Sequence, residues 1–337
     1  MPNARITGTG GYVPPRIVKN EDLVASYGIE TDNEWIVKRT GIEARRFAEE
    51  GVGSSDLALP AAREAMERAG VGPKDLGMVV FATLSPEHCF PGSGVYLQHK
   101  LGLPNTPAMD IRNQCSGFVY GLTAATGLVK SGIYQHVLVV GAEVHSAALD
   151  LSTRGRTVST LFGDGAGAVV VSATDEDRGV RAVHLGADGQ FADVLAQRIW
   201  DIRKRPFIPL NEEGVGQVQP EMMWANMDGR LVFRHAVEKM ILALMQVCWQ
   251  QKITTNDLDL VLFHQANLRI NQYVQQQLGL PDEKVMHNIQ RYGNTTAATI
   301  PLLLAEAEAT GRLKPGMKVA LVAFGSGFTW GAVLLDW

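Results

Sequence analysis

Two pairs of short stretches recur in the same order in the two halves of the chain, and this repetition limits the fold more than any other feature. DLGMVVF at 75–81 is matched by DLDLVLF at 257–263, and GAVVVSA at 167–173 by GAVLLDW at 331–337. Apolar runs without alternation read as strands buried on both faces, in a sheet covered by helices. YQHVLVVGAE at 134–143 and MKVALVAFG at 317–325 add one such strand to each half. PAAREAMERAG at 60–70, GFVYGLTAATGLVKSG at 117–132 and ILALMQVCWQ at 241–250 carry apolar residues at helical spacing. The pattern predicts an internally duplicated α/β chain, with one half at 1–175 and the other at 176–337. With 337 residues and 46% hydrophobic content, there is ample material for such a core.

One region breaks the pattern. Residues 186–230 mix Phe, Trp, Met and Pro with charges and show poor periodicity, which predicts a surface excursion or a lid capping a cavity. The 31 basic and 35 acidic residues are interspersed, so nothing resembles a nucleic-acid footprint. Three cysteines, Cys89, Cys115 and Cys248, make neither a disulfide framework nor a metal-binding spacing. The stretch MPNARITGTGGYVPP lacks an apolar signal core and no apolar run reaches membrane-spanning length, so a reduced, cytoplasmic setting is the expectation.

Three polar residues stand where strands give way to helices. Cys115, in IRNQCSGFVY, falls between a polar stub and the first turn of an expected helix, where free N–H groups and the dipole favour a thiolate. His264 ends the strand DLVLF, and Asn294 lies in RYGNTTAATIP just before another helix. A packed thiol, a satisfied histidine and a plain Gly-Asn turn are the structural alternatives. Together the three are what decarboxylative acyl transfer requires: a nucleophile that holds an acyl group, and two donors for the oxygen of a developing enolate. FGDGAGAVV and FGSGFTWG fit neither a dinucleotide fingerprint nor a P-loop, and read as backbone devices or packing turns. Trp35, Arg39, Arg154, Arg234 and Arg269 offer stacking and phosphate-binding groups, although scattered arginines are commonly solvated surface.

Six ordered motifs carry a family resemblance over nearly the whole chain. They are DNEWIVKRTGI at 32–42, QCSGF at 114–118, FGDGAGAVV at 162–170, HQANLRI at 264–270, YGNTTAATIP at 292–301 and FGSGFTWG at 324–331. With them the chain resembles the β-ketoacyl-acyl-carrier-protein synthase III family of the thiolase superfamily. The resemblance implies a five-layer α-β-α-β-α thiolase-like fold, a homodimer, and condensation of an acyl-CoA primer with malonyl-acyl-carrier protein or malonyl-CoA. It implies Cys115 as the acylated nucleophile, His264 and Asn294 as the decarboxylation pair, and the N–H groups of Cys115 and Ser326 as an oxyanion hole. Trp35, Arg39 and Arg154 fall at the CoA nucleotide end, and Arg269 and Arg234 at carrier-protein docking positions. Neither metal nor redox cofactor is implied.

The chain departs from the family in two places. Ser326 stands where a glycine is usual, and 190–225 is longer than in members that use short primers. DIRNQCSG, GADGQF and the GSG turn resemble the alkylquinolone-making branch, which takes an aromatic primer, whereas HQANLRI and FTWG resemble fatty-acid initiation enzymes. The primer therefore stays open between a short aliphatic group and a longer or aromatic one. A biosynthetic thiolase would need a second cysteine near the C-terminus, and 325–327 offers none. A catalytically silent scaffold subunit is the alternative of another class.

Overall fold

The computed structural model describes residues 2–199 and 201–337. One sheet is built from β1 (Asn3–Tyr12), β2 (Met78–Ala82), β3 (Ala108–Ile111), β4 (His136–Glu143) and β5 (Gly165–Thr174), in the order β1-β5-β4-β2-β3. The other contains β6 (Gly179–Ala187), β7 (Leu260–Phe263), β8 (Lys318–Gly325) and β9 (Thr329–Asp336), in the order β7-β8-β9-β6. Both repeat the same succession. An antiparallel outer strand (β1 or β6) pairs with β5 or β9, which pairs antiparallel with β4 or β8, which pairs parallel with β2 or β7. Where β3 extends the first sheet, the second has only a parallel bridge between Val261 and Val285. The repeated sequence pairs occupy equivalent strands, β2 with β7 and β5 with β9.

Helices make three further layers. α1 (Ser54–Ala69) covers the outer face of the first sheet. α2 (Gly117–Lys130) and α5 (Thr299–Ala309) lie between the sheets, and α3 (Gly229–Gln250), with α4 (Leu268–Gln277) packed on it, covers the second. The central core joins Val80, Leu122 and Val139 to Leu262, Leu303, Leu321 and Val333. The layers thus run α-β-α-β-α. No helix among the described residues is long and apolar enough to cross a membrane.

The expected helix at 60–70 begins earlier, at Ser54, because Asp56 accepts from the Gly53 N–H and caps the start, leaving Pro60 inside the helix. α2 ends where its Lys-Ser-Gly stop predicts, and α3 starts at Gly229, where the Asp228 carboxylate accepts from the N–H groups of Arg230 and Leu231.

The alternating glycines of β1 let α1 lie unusually close. A Cβ on Gly10 would stand 2.1 Å from the Ala61 carbonyl oxygen, and one on Gly8 2.2 Å from that of Ala65. Gly10→Ala is expected to force helix and sheet apart and cost about 1–3 kcal/mol, read as a lower midpoint in thermal unfolding. Gly127→Ala, in α2 with open space around it, should instead gain about 0.5–1 kcal/mol. Equal effects would contradict this packing account.

Candidate active site

Cys115 occupies a 3-10 turn, Gln114–Ser116, that leads directly into α2, and it lines a cavity of about 880 Å³. Gly325 at the end of β8 presses against it. A Cβ there would meet Cys115 Cβ at 2.9 Å and its nitrogen at 3.0 Å, so glycine is needed to bring the 325–327 turn up to the cysteine. Burial pushes the thiol up to about 12, and Glu143 adds to the rise. The N–H groups of Ser326 and Cys115 and the Thr296 hydroxyl pull in the other direction. The helix N-terminus expected to favour a thiolate is present, and desolvation outweighs it.

His264 follows β7 and is buried, its N–H donating to the Val322 carbonyl at 2.8 Å. Its Nδ1 lies 2.7 Å from Thr299 Oγ1, and its buried Nε2 has no partner among the described residues. Burial holds the ring's pKa down near 3, so the imidazole is neutral. The Thr299 hydroxyl donates to the Thr296 carbonyl at 3.0 Å, which also accepts from the Thr299 N–H. The hydroxyl's single proton has a second acceptor in Nδ1, and the ring carries its proton on Nε2 when the hydroxyl serves Nδ1 in place of the carbonyl.

Asn294 is fixed differently. Its N–H donates to Leu161 O at 2.8 Å, its carbonyl accepts from Gly163 at 3.1 Å, and its Oδ1 accepts from the Thr296 N–H at 2.8 Å. With Oδ1 so held, Nδ2 is the free, donating end of the amide. One segment, 294–299, thus ties the three residues together: it contains Asn294, Thr296 beside Cys115, and Thr299 beside His264. Of the two glycine strings, FGSG abuts the nucleophile. FGDG supports Asn294 and forms a clamp in which Asp164 accepts from the N–H groups of Ala48, His145 and Ser146.

Several groups were not legible as site residues. Glu143 is wholly buried at the end of β4, where its carboxylate accepts from Thr83 Oγ1, the N–H groups of Leu84 and Ser85, and Ser85 Oγ at 2.6 Å. Burial pushes it up to about 7, while its contacts, all donors, favour the charged form. A lone acid closing an apolar strand was its only sequence signal. His145, two residues on, lines the same cavity.

Trp35 and Arg39 share the helix Asn33–Thr40, with the Arg39 guanidinium 4.2 Å from the ring centroid. The second cation over that ring is Arg156, at 5.6 Å, whereas Arg154 pairs with Asp150 at 2.7 Å. Two arginines one residue apart cannot be told apart by composition. Arg269 donates to the carbonyls of Val37 and Lys38 at the end of the Trp35 helix, while Arg234 is exposed on α3. Ser326 turns its hydroxyl away from the cysteine to Leu195 O, at 2.5 Å. The 186–230 excursion is pinned there by pairing of Leu195–Ala196 with Asn226–Met227, and Ala192, Leu195, Gln197, Ile199 and Ala225 line the cavity. Cys89 is exposed, and Cys248 is buried on the inward face of α3.

Comparison with known proteins adds an independent observation. The family model for 3-oxoacyl-[acyl-carrier-protein] synthase III matches residues 109–189, and that for its C-terminal part matches 248–337. The chain is 37% identical to the solved 3-oxoacyl-[acyl-carrier-protein] synthase III of Aquifex aeolicus, over 99% of this chain and 100% of that one, with a TM-score of 0.88. It is 39% identical to the β-ketoacyl-[acyl-carrier-protein] synthase III of Thermus thermophilus, over 99% of each chain, with a TM-score of 0.89. A priming β-ketosynthase of a polyketide biosynthetic pathway is 33% identical, over 99% of this chain and 96% of that one, with a TM-score of 0.89.

Proposed function

The chain belongs to the 3-oxoacyl-[acyl-carrier-protein] synthase III family, and on that premise we propose which of its residues carry the condensation and which primer it takes. It is an acyl-transferring condensing enzyme that makes 3-ketoacyl products from acyl-CoA and carrier-protein substrates. In our reading Cys115 Sγ attacks the primer thioester carbon, the N–H groups of Cys115 and Ser326 hold the resulting oxyanion, and CoA leaves as its thiol, taking up the proton that Cys115 gives up. The malonyl thioester oxygen then accepts from Asn294 Nδ2 and His264 Nε2. As the carbon–carboxylate bond breaks, its electron pair forms an enolate, which attacks the acyl-cysteine and expels the thiolate. Escape of carbon dioxide makes the sequence effectively irreversible.

The nucleotide end of CoA is assigned to Trp35 with Arg39 and Arg156, because these two guanidinium groups flank the ring and Arg154 is held by Asp150. Arg234, with no ion-pair partner among the described residues, is the better of the two carrier-docking cations. Arg269 spends three donors on the protein itself. The two halves are taken as 1–175, with the nucleophile, and 176–337, with His264 and Asn294, and the assembly as a homodimer.

The cavity carries the choice of primer. At about 880 Å³, walled by Val144, Ala147, Leu149, Val158 and Phe162, it is of the size that takes a drug-sized apolar body. Beside the pantetheine arm that must also reach Cys115, it has room for more than an acetyl group, and we read the primer as a medium-chain or aromatic acyl group. Purified protein should be incubated separately with acetyl-, branched short-chain, octanoyl-, longer-chain and anthraniloyl-CoA, then analysed by intact mass and peptide mapping. The expected result is label on the Cys115 peptide from the bulkier primers. Preferential labelling by acetyl- or branched short-chain CoA would overturn the primer assignment, and no label from any of them would overturn the nucleophile.

A further inference from the structure

The mechanism above leaves one buried imidazole unused. His145 follows β4 by two residues, is 7% exposed, and packs its ring 4.5 Å from that of Phe162. Its Nε2 lies 2.5 Å from Thr296 Oγ1, and Nδ1 bonds nothing among the described residues. Thr296 itself is strained. Its φ of +49° is a left-handed conformation that a β-branched residue rarely adopts, held by the bond from its N–H to Asn294 Oδ1. That conformation places the Thr296 hydroxyl against the imidazole, in a turn packed directly on the one carrying Cys115, where the hydroxyl favours the ionised thiol.

We propose that His145 is a positioning residue for the nucleophile, holding the Thr296 hydroxyl as a donor to Cys115 Sγ during formation of the acyl-cysteine. A neutral imidazole with its proton on Nε2 donates to Thr296 Oγ1. The hydroxyl then has one proton left to give, and in this arrangement its acceptor is the Cys115 sulfur. In the resting thiol the directions reverse: S–H donates to Oγ1, O–H to the Nε2 lone pair, and the ring proton sits on Nδ1. On ionisation the thiol proton passes to Oγ1, the hydroxyl proton to Nε2, and the Nδ1 proton leaves to water in the cavity that His145 lines. The same three groups therefore satisfy both states, while the charged sulfur gains a hydrogen bond to an ion, among the stronger kinds.

The other charges around this path are fixed or distant. Glu143, held by the donors of residues 83–85, raises the thiol. Asp164 Oδ1 accepts from the His145 backbone N–H at 2.7 Å, so its charge bears on the main chain and not on Nε2. His264 is neutral, its pKa held near 3 by burial. Asp56, Glu87, His88 and Arg112 complete the charged and titratable lining of the cavity. Burial keeps His145 itself neutral, with its pKa near 3, so the ring works as a fixed hydrogen-bond partner.

The inference rests on Cys115 being the nucleophile, and its test is chosen to fail separately from that assignment. The rate of Cys115 alkylation by iodoacetamide, measured on the full-length protein between about pH 7 and 10, reports thiolate content without any acyl substrate. His145→Phe keeps a ring against Phe162 and removes Nε2. It should lower the alkylation rate about tenfold at every pH, equivalent to a shift of about one pH unit, and slow acylation similarly. Thr296→Val should do the same, the double variant no more than either, and His145→Gln and Thr296→Ser should restore the wild-type line. Unchanged alkylation in His145→Phe, or additive effects in the double variant, would overturn the proposal. Should His145→Phe fail to fold, the comparison of Thr296→Val with Thr296→Ser and of His145→Gln with wild type decides it. A wild-type protein that no primer acylates would instead refute the nucleophile assignment.

Discussion

Replacing Cys115 with alanine is expected to abolish labelling by every acyl-CoA and to lower condensation by about 10⁴-fold or more, while carbon dioxide is still released from the malonyl thioester. The split follows from the geometry. The two proposed donors to the enolate oxygen, Nε2 of His264 and Nδ2 of Asn294, are fixed by Thr299 and by the Thr296 N–H, and neither tether passes through the sulfur. Alanine also fits without steric cost, because the close approach of Gly325 is to Cys115 Cβ and nitrogen, which the substitution keeps. The pH dependence should divide in the same way. With the thiol pushed up to about 12, deprotonation becomes easier as pH rises, so acylation of the wild type accelerates about tenfold per pH unit through neutrality. Decarboxylation by the alanine variant depends on a histidine that is already neutral and stays flat. Substantial 3-ketoacyl product from the alanine variant, followed with isotopically labelled primer, would refute the assignment.

The layers of this fold were legible because their strands are buried on both faces, and such strands cannot hide. The runs at 78–82, 136–143, 260–263 and 318–325 carry little but apolar residues, and each became a strand. Cys115, His264 and Asn294 stood out for the complementary reason: His264 is a polar residue ending an apolar run, and Cys115 and Asn294 lie in polar stretches that lead into apolar helices. What could not be read is whatever depends on register between distant segments. Thr296 looks like any threonine in a polar-to-apolar junction until the fold sets it between residues 115 and 145. Arg154 and Arg156 are equivalent by composition, and only the short helical turns at Thr153–Gly155 and Arg156–Ser159 direct one toward Asp150 and the other toward Trp35. Glu143 reads as no more than the polar end of β4, yet its carboxylate is enclosed by donors from the 83–85 loop. Ser326 resembled a mere narrowing of a glycine turn, whereas its hydroxyl fastens the 186–230 excursion to the site.

His264→Ala should show the converse of the cysteine variant: normal acylation of Cys115, with malonyl decarboxylation reduced by about 10²–10³-fold. Nε2 is a buried atom with no partner among the described residues, and so stands open to a substrate oxygen. Removing the ring leaves β7 intact, since the backbone N–H of residue 264 still donates to Val322 O. Asn294 needs a subtler substitution. Its Oδ1 holds the Thr296 N–H, so alanine would release the turn that carries Thr296 and confuse chemistry with structure. Asn294→Asp retains an oxygen acceptor for that N–H and exchanges the free Nδ2 donor for a second oxygen, placing negative charge where the enolate develops. Its loss of decarboxylation should equal or exceed that of His264→Ala. Because both donors serve one oxygen, the double variant should fall well short of the product of the two single losses. Single-turnover measurements separate the halves: acyl-cysteine formation by intact mass, and carbon dioxide release from malonyl thioester in its absence. If His264→Ala slowed acylation and spared decarboxylation, the two half-reactions would have to be reassigned between Cys115's neighbours, with His264 acting on the thiol and a different donor holding the enolate.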